Sequence, residues 1–357
     1  MALSKMQRQK IIESLIIEIG KNSFENTFSV DDFSKSHGLS KQSVYRYLAS
    51  LAAESKITIR KTGKNNQYRL TTTVHNFKFN LANLSEDIVW SKNIKPLLID
   101  LPEVALANCN YVFCEMLNNA IEHSEGSEVE IELLINAYSV NFLISDNGVG
   151  IFAKIASAMN LEEKRFAILE LAKGKFTTEP DSHTGEGIFF SSKACDYFAI
   201  LSSDLQFITA SNLNINLLQD DLLLDDFQIF QNRSTIISFT IFRDHAQKMQ
   251  SIFDQYTQNP NGYGFNKTVV PIKLLEYGDP SPTFISRSQA KRLLVRFERF
   301  ELIILDFNGI DEIGQGFADE IFRVFLKQHP QCKILTKNCN INVTNMIRHV
   351  ANHIVTE

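Results

Sequence analysis

No stretch of this 357-residue chain approaches the ~18 consecutive apolar residues that a membrane-spanning helix requires, so a protein built on transmembrane helices is excluded. The apolar segment Ile11–Ile19 near the N-terminus carries Glu13 and Glu18 at helical spacing, so no secretory leader is expected there. Cysteine is scarce: five residues, an odd number at the scattered positions 109, 114, 195, 332 and 339, exclude a disulfide framework and any zinc-finger spacing. A reduced, cytoplasmic setting is the expectation. Tryptophan occurs once, at Trp90. What is present is ordinary for globular proteins, with 44% hydrophobic and 22% charged residues. The length predicts two or three domains.

Charge is distributed unevenly. Residues 1–75 hold twelve Lys and Arg against six Asp and Glu, a net of +6, which leaves −11 for the rest of a chain whose total is −5. That asymmetry points the N-terminal part, and not the remainder, at a polyanion.

Within the basic part, residues 6–20 read as a helix closed by Gly20 at its C′ position, and Ser29 reads as the N-cap of a second helix. In Ser36-His-Gly-Leu-Ser-Lys-Gln-Ser-Val-Tyr-Arg-Tyr-Leu, Gly38 permits a tight turn and Ser40 caps a third helix. Val44, Leu48 and Leu51 face a core. Lys41, Gln42, Ser43, Tyr45 and Arg46 are left on the exposed N-terminal face. Residues 57–70 then alternate around Gly63 as a hairpin with a basic tip carrying Arg60 and Lys64. This pattern resembles a winged helix-turn-helix, over roughly residues 5–71. The resemblance implies DNA as partner, with the third helix in the major groove and the hairpin lysines on phosphates. A winged helix used only for protein contact is the competing reading.

The stretch Phe113-Cys-Glu-Met-Leu-Asn-Asn-Ala-Ile-Glu-His-Ser124 has apolar residues at helical spacing, while Glu115 and Asn119, four apart, share the opposite face. A carboxylate and a carboxamide so placed can hold a water and a divalent cation, or can simply face solvent. Two strand-like runs follow, 129–135 and 138–144. The second leads into Ser145-Asp-Asn-Gly-Val-Gly-Ile151, where Asp146 ends a buried strand and Gly148 and Gly150 let backbone approach a flat ring. Gly185 and Gly187 open an apolar stretch that reads as a helix, and backbone N–H groups there can cradle phosphate. Thr235 begins a closing strand.

These four motifs in this order resemble the Bergerat-fold ATPases shared by gyrase, heat-shock chaperones, histidine kinases and mismatch-repair proteins, and are most similar to the histidine-kinase and anti-sigma-kinase branch. The resemblance covers about residues 105–242. It implies ATP and Mg²⁺ as cofactors, with Glu115 as general base and Asn119 as the metal ligand. It assigns adenine to Asp146, supported by Thr235, with Gly148, Gly150, Gly185 and Gly187 as the glycine boxes. Segment 152–184 would be the ATP lid, with Lys173 and Lys175 as candidates for the γ-phosphate. No helical hairpin bearing a phosphoacceptor histidine precedes the motif helix, and neither His123 nor His183 occupies such a place, so histidine self-phosphorylation is not expected.

After the linker 259–264, alternating strands and helices predict a small α/β layer. The expected elements are a strand over 268–275, a basic helix over 286–300, a strand over 301–307, a helix over 316–326, a strand over 332–335 and a last helix over 343–351. The stretch 305–322 resembles the STAS fold of anti-sigma-factor antagonists, and more closely a STAS-like domain of unknown function attached to such ATPases. Where antagonists carry a phosphorylatable serine, this chain has Asp311-Glu-Ile-Gly314, so phosphorylation at that turn is not expected; Glu312 reads as a helix cap or as a fixed negative charge.

The expected fold is therefore α/β multidomain. A winged helix (1–71), a connector (72–104), an α/β-sandwich Bergerat ATP-binding domain (105–258, lid about 152–184) and a small α/β STAS-like domain (265–357) follow in turn. The leading functional expectation is an ATP-switched DNA-binding regulator. Two others compete: an anti-sigma-type serine/threonine kinase acting on a separate protein, and a nucleotide-dependent scaffold. A protein partner for the STAS-like domain, no membrane, and a homodimer by half-site logic complete the expectations.

Overall fold

The computed structural model describes residues 4–21, 28–62, 65–175, 185–210, 234–257, 264–276, 284 and 286–350. The described chain is mixed α/β, with three sheets of two, six and three strands.

The N-terminal unit packs α1 (Lys5–Lys21), α2 (Val30–Ser36) and α3 (Lys41–Ala53) against the antiparallel pair β1 (Ile57–Thr62) and β2 (Asn65–Leu70). Its caps follow the expectation: Ser29 accepts from the Asp32 N–H, and Ser40 accepts from the Ser43 N–H. Gly38 takes φ +62° in the turn between α2 and α3. Leu15, Ile19, Phe33, Val44, Leu48 and Leu51 meet Ile57 and Tyr68 in a core of their own. Gly20 does not end α1 as expected but lies inside it. A Cβ at this glycine would stand 2.3 Å from Cδ1 of Tyr138, so the position is fixed by a close approach to the next unit.

That unit begins earlier than expected. Residues 72–104 are not a plain connector, because β3 (Thr73–Asn80) pairs antiparallel along the whole length of β4 (Glu128–Ile135). Its residues are exposed or half-buried in alternation, and its polar positions hide the strand period. There follow α4 (Glu86–Val89), continued by a π turn over Trp90–Ile94, and then α5 (Glu103–His123), β4, β5 (Ser139–Asp146), α6 (Ile151–Ala158) and α7 (Phe166–Lys173). After these come α8 (Gly187–Ala194), β6 (Tyr197–Ser202), β7 (Leu205–Ala210), β8 (Thr235–Phe242) and α9 (Met249–Gln255). The sheet runs β3-β4-β5-β8-β6-β7, antiparallel throughout. Helices α5 and α8 touch each other, and both touch the sheet. An aromatic row pins α5 to it: Trp90 to Phe113 at 5.6 Å, Phe113 to Phe142 at 5.6 Å, and Phe142 stacked on Phe239 at 4.7 Å. With Val112, Phe113, Met116 and Leu117 buried toward the sheet, Glu115 and Asn119 are turned to another face of α5.

The C-terminal unit is a parallel sheet in the order β11-β10-β9, built from β9 (Lys267–Pro271), α10 (Arg287–Leu294), β10 (Leu302–Asp306), α11 (Gln315–Asp319), α12 (Leu326–Gln328), β11 (Lys333–Lys337) and α13 (Ile341–Val350). A π turn over Glu320–Phe325 joins α11 to α12. The alternation of strand and helix is as expected, with two corrections. The strand expected over 268–275 ends at Pro271, which has no N–H to continue the ladder. The helix expected over 286–300 ends at Leu294, because Arg296 takes a left-handed conformation at φ +66°. Ser286 and Gln289 form a reciprocal capping box at its start. A cluster of Phe189, Phe190, Phe265 and Phe300 joins this unit to α8, so the two larger sheets share one continuous core.

Candidate functional site

Each glycine of the central unit that the sequence singles out makes a close approach or a turn. Gly148 passes so near Ser124 that a Cβ would stand 2.0 Å from the Ser124 carbonyl oxygen, and the next residue, Val149, donates its N–H to that same oxygen at 2.8 Å. Gly150 takes φ +86° and Gly185 φ +69°. Gly187 opens α8 against Glu115: a Cβ there would lie 2.0 Å from Glu115 Oε2.

These approaches frame a cleft of about 430 Å³, within the range of small-molecule sites. Of the expected residues, Glu115, Asn119, Asp146, Gly150, Gly185, Gly187 and Thr235 line it, and Gly148 does not. They come from α5, the end of β5, the turn before α6, the start of α8 and the start of β8. Asp146 and Thr235 are cross-strand neighbours in the β5–β8 register. The buried Asp146 carboxylate accepts the Gly148 N–H at 2.9 Å, which orients it, and Thr235 Oγ1 accepts the Ile151 N–H at 3.1 Å, which ties β8 to the start of α6. Among the described residues the buried Asn119 amide nitrogen has no hydrogen-bond partner, the kind of donor that a ligand acceptor satisfies.

The sequence reading missed several lining groups. Lys154, on α6, donates to the His123 carbonyl at 2.7 Å and to Glu125 at 3.0 Å, holding the C-terminal end of α5. Tyr111 lies one turn before Glu115, and its phenol is pushed above its ordinary value by burial, reinforced by the Glu115 and Glu186 carboxylates. Nothing in the sequence marks Lys154; Tyr111 is recoverable only from its spacing of four to Glu115. Four carboxylates (Glu115, Glu122, Asp146 and Glu186) and one lysine line the cleft. A polyphosphate there needs a divalent cation to offset that charge. Among the described residues no three His, Cys, Asp or Glu side chains form a metal cage; the carboxamide oxygen of Asn119 could hold Mg²⁺ together with phosphate oxygens.

The two lysines offered for a γ-phosphate are placed elsewhere, and neither lines the cleft. Lys173 is fully buried and donates to Glu170 and to the carbonyls of Val295 (3.0 Å) and Arg292 (3.4 Å). Burial pushes its ammonium down to about 8, against the pull of Glu170. Lys175 donates to the Arg299 carbonyl at 3.0 Å and lies 4.9 Å from the centre of the Phe300 ring. Both lysines are bound to the C-terminal unit, a destination invisible in sequence because their partners are backbone oxygens more than a hundred residues away. Of the expected lid, residues 152–175 are described as α6 and α7 with their connection; 176–184, including His183, lie outside the described residues.

In the N-terminal unit, Lys41, Gln42, Tyr45 and Arg46 share an exposed face of α3, and Arg60 is exposed on β1. Ser43 is drawn into the cap, with its hydroxyl 3.0 Å from that of Ser40. The Lys41 ammonium lies 2.7 Å from Asp31, an exposed pair of little energetic weight. Gly63 and Lys64 lie outside the described residues.

In the C-terminal unit, Asp306 at the end of β10 accepts from the Asn308 N–H and from Asn338, and pairs with Lys337 at 3.0 Å. Helix α11 starts at Gln315 with Gly314 before it and no side-chain cap, so Glu312 is exposed and does not cap a helix. A family model for a STAS-like domain of unknown function (DUF4325) matches residues 289–344. The C-terminal unit is thus STAS-like from within α10 to within α13. No curated protein matches the chain. Among the described residues, no helix is long and apolar enough to cross a membrane.

Proposed function

We propose that the central cleft binds ATP with Mg²⁺ and that the chain is a nucleotide-responsive regulator whose N-terminal unit binds DNA. The observation that carries the reading is convergence. Residues from four separated motifs, predicted on motif order to serve one nucleotide, line a single cleft of nucleotide size. In this reading Asp146 accepts the exocyclic amine of adenine, with Thr235 beside it. Asn119 ligates the metal, the N-terminal turn of α8 after Gly185 faces the phosphates, and Glu115 polarises an attacking water or hydroxyl. Bound Mg²⁺ supplies charge neutralisation among the phosphate oxygens. The basic charge of residues 1–75 and the exposed Gln42, Tyr45, Arg46 and Arg60 favour a nucleic-acid surface.

A kinase reading keeps the same cleft and moves the acceptor to another protein, because the turn at Asp311-Glu-Ile-Gly314 carries no hydroxyl side chain. Binding of a fluorescent ATP analogue with Mg²⁺, compared between the wild type and Asp146→Asn, tests the cleft. Loss of binding in the variant with an unchanged melting temperature is expected, and equal binding would sink the reading. Gel shifts with duplex DNA, with and without the analogue, test the coupling. Labelled ATP incubated with lysate separates kinase from switch by the presence or absence of a discrete labelled protein that disappears with Glu115→Ala.

A further inference from the structure

Among the described residues, a buried polar network crosses between two units and touches the wall of the cleft. Glu170, on α7, is almost fully buried and binds two cations: Lys173 from its own helix, and Arg296 of the C-terminal unit at 3.0 Å. Arg296 also donates to the carbonyl of Gly174 at 2.9 Å and to that of Lys175. Lys173 reaches back to the carbonyls of Arg292 and Val295, and Thr268 donates to the Lys173 carbonyl at 2.8 Å. Gly174 itself lines the cleft, at φ +80°, with a Cβ position that would fall 2.6 Å from the Phe265 ring.

Two features make this more than packing. Glu170 meets both cations, four backbone oxygens accept from them, and the Glu298 carboxylate adds a further attraction on each. An apolar joint of the same volume would be no less stable. What the ionic joint adds is directional: the planar guanidinium fixes Glu170 and Gly174 at the same time. Arg296 also holds a left-handed backbone at φ +66°, a strained conformation that persists only where surrounding contacts over-determine it.

We propose that Arg296 is a positioning residue for the cleft: from the STAS-like unit it sets the wall formed by residues 170–174, so that the placement of that unit tunes the affinity of the cleft. The coupling is reciprocal, so whatever shifts the C-terminal unit changes cleft affinity by the factor with which cleft occupancy shifts that unit. The ligand named here rests on the nucleotide reading above; the positioning of the wall does not.

The test uses the full chain as Arg296→Met and Arg296→Lys, with Ile347→Ala, in the buried face of α13, as a control that disturbs the C-terminal core away from the wall. Amide hydrogen exchange over residues 166–174 is followed without ligand, and affinity for a Mg²⁺-bound ATP analogue is measured in parallel. Arg296→Met should speed exchange in that segment and weaken the analogue at least about tenfold, in the range of ordinary coupling factors. Arg296→Lys should recover part of both effects. Ile347→Ala should lower the melting temperature while leaving the affinity unchanged, a split that a merely structural role would not produce. Unchanged exchange in Arg296→Met overturns the positioning role whatever the cleft binds. Faster exchange with unchanged affinity, or an equal loss of affinity in Ile347→Ala, overturns the coupling. A wild type that binds no analogue removes the nucleotide reading alone, since the exchange comparison still decides whether Arg296 positions the wall.

Discussion

Two glycines in the cleft region fail a Cβ for different reasons, and alanine at each separates fold from chemistry. At Gly148 the added carbon would stand 2.0 Å from the Ser124 carbonyl oxygen and 2.6 Å from its carbon, both backbone atoms. The chain must part there, which endangers the 2.8 Å bond from Val149 and the 2.9 Å bond from Gly148 to Asp146. Overpacking of this kind, with about 1 kcal/mol for each bond lost, gives a destabilisation of about 2–5 kcal/mol. At Gly187 the obstructing atom is Glu115 Oε2, again at 2.0 Å, the far end of a flexible side chain. Gly187 begins a helix at a backbone conformation that alanine shares, so helix propensity returns up to about 1 kcal/mol and offsets the rotation of the carboxylate. Stability should therefore stay within about 1 kcal/mol of the wild type. Glu115, however, is displaced from its seat. If it is the general base, Mg²⁺-dependent ATP turnover should fall by about 10- to 100-fold, short of the 10²–10⁴ that losing such a base outright costs. The single tryptophan reads the unfolding, since Trp90 is buried against Phe113 on α5. Urea melts of both variants by Trp90 fluorescence, alongside phosphate release, form the assay. Similar midpoints for Gly148→Ala and Gly187→Ala, or undiminished turnover in Gly187→Ala, would refute the reasoning.

Two further expectations rest on contacts away from the cleft. His245 bonds Asp196 through Nδ1 at 3.0 Å, while its Nε2 lies 2.9 Å from the Asn108 amide nitrogen and 3.2 Å from the Gln247 carbonyl. Burial pulls its pKa down, but the Asp196 bond and charge outweigh that and raise it above 6.5. A raised folded value means that the stabilisation is complete below about pH 6.5 and is lost as pH rises through the folded pKa. The gap in urea midpoint between wild type and His245→Gln should accordingly narrow from mildly acidic to mildly alkaline buffer, and a constant gap would contradict it. At the other end of the molecule, Gly20→Ala adds a carbon 2.3 Å from the buried Tyr138 ring, which is stacked on Phe242 at 4.5 Å and has no room to swing. The substitution should raise the intrinsic helicity of α1 by up to about 1 kcal/mol yet loosen its seat on the central unit. Limited proteolysis near residues 71–73 should accelerate, and an unchanged digestion rate would mean that the contact holds nothing in place.

What was legible in the sequence had local causes. Ser29 and Ser40 cap helices because a hydroxyl just before a helix accepts an N–H three residues on, a relation contained within four residues. The glycines near the cleft stood out because close approaches exclude every other side chain. What stayed hidden was decided over long distances. Thr73–Asn80 shows its apolar alternation only at Phe77 and Phe79, because it is the edge of its sheet, where one face is solvated and polar residues are tolerated, so its period is too short to read. Lys173 and Lys175 read as candidates for a γ-phosphate only as members of the lid that the resemblance implies. Their true partners, the carbonyls of Arg292, Val295 and Arg299, are backbone atoms that any residue would supply. The same blindness applies to Arg296: a left-handed arginine ending a helix gives no signal in composition, and its meaning emerges only where Glu170 and the Gly174 carbonyl meet it. A motif can announce the ligand that a cleft was shaped for. It is silent about which distant unit holds the wall of that cleft, since that choice is written in backbone geometry and not in side-chain spacing.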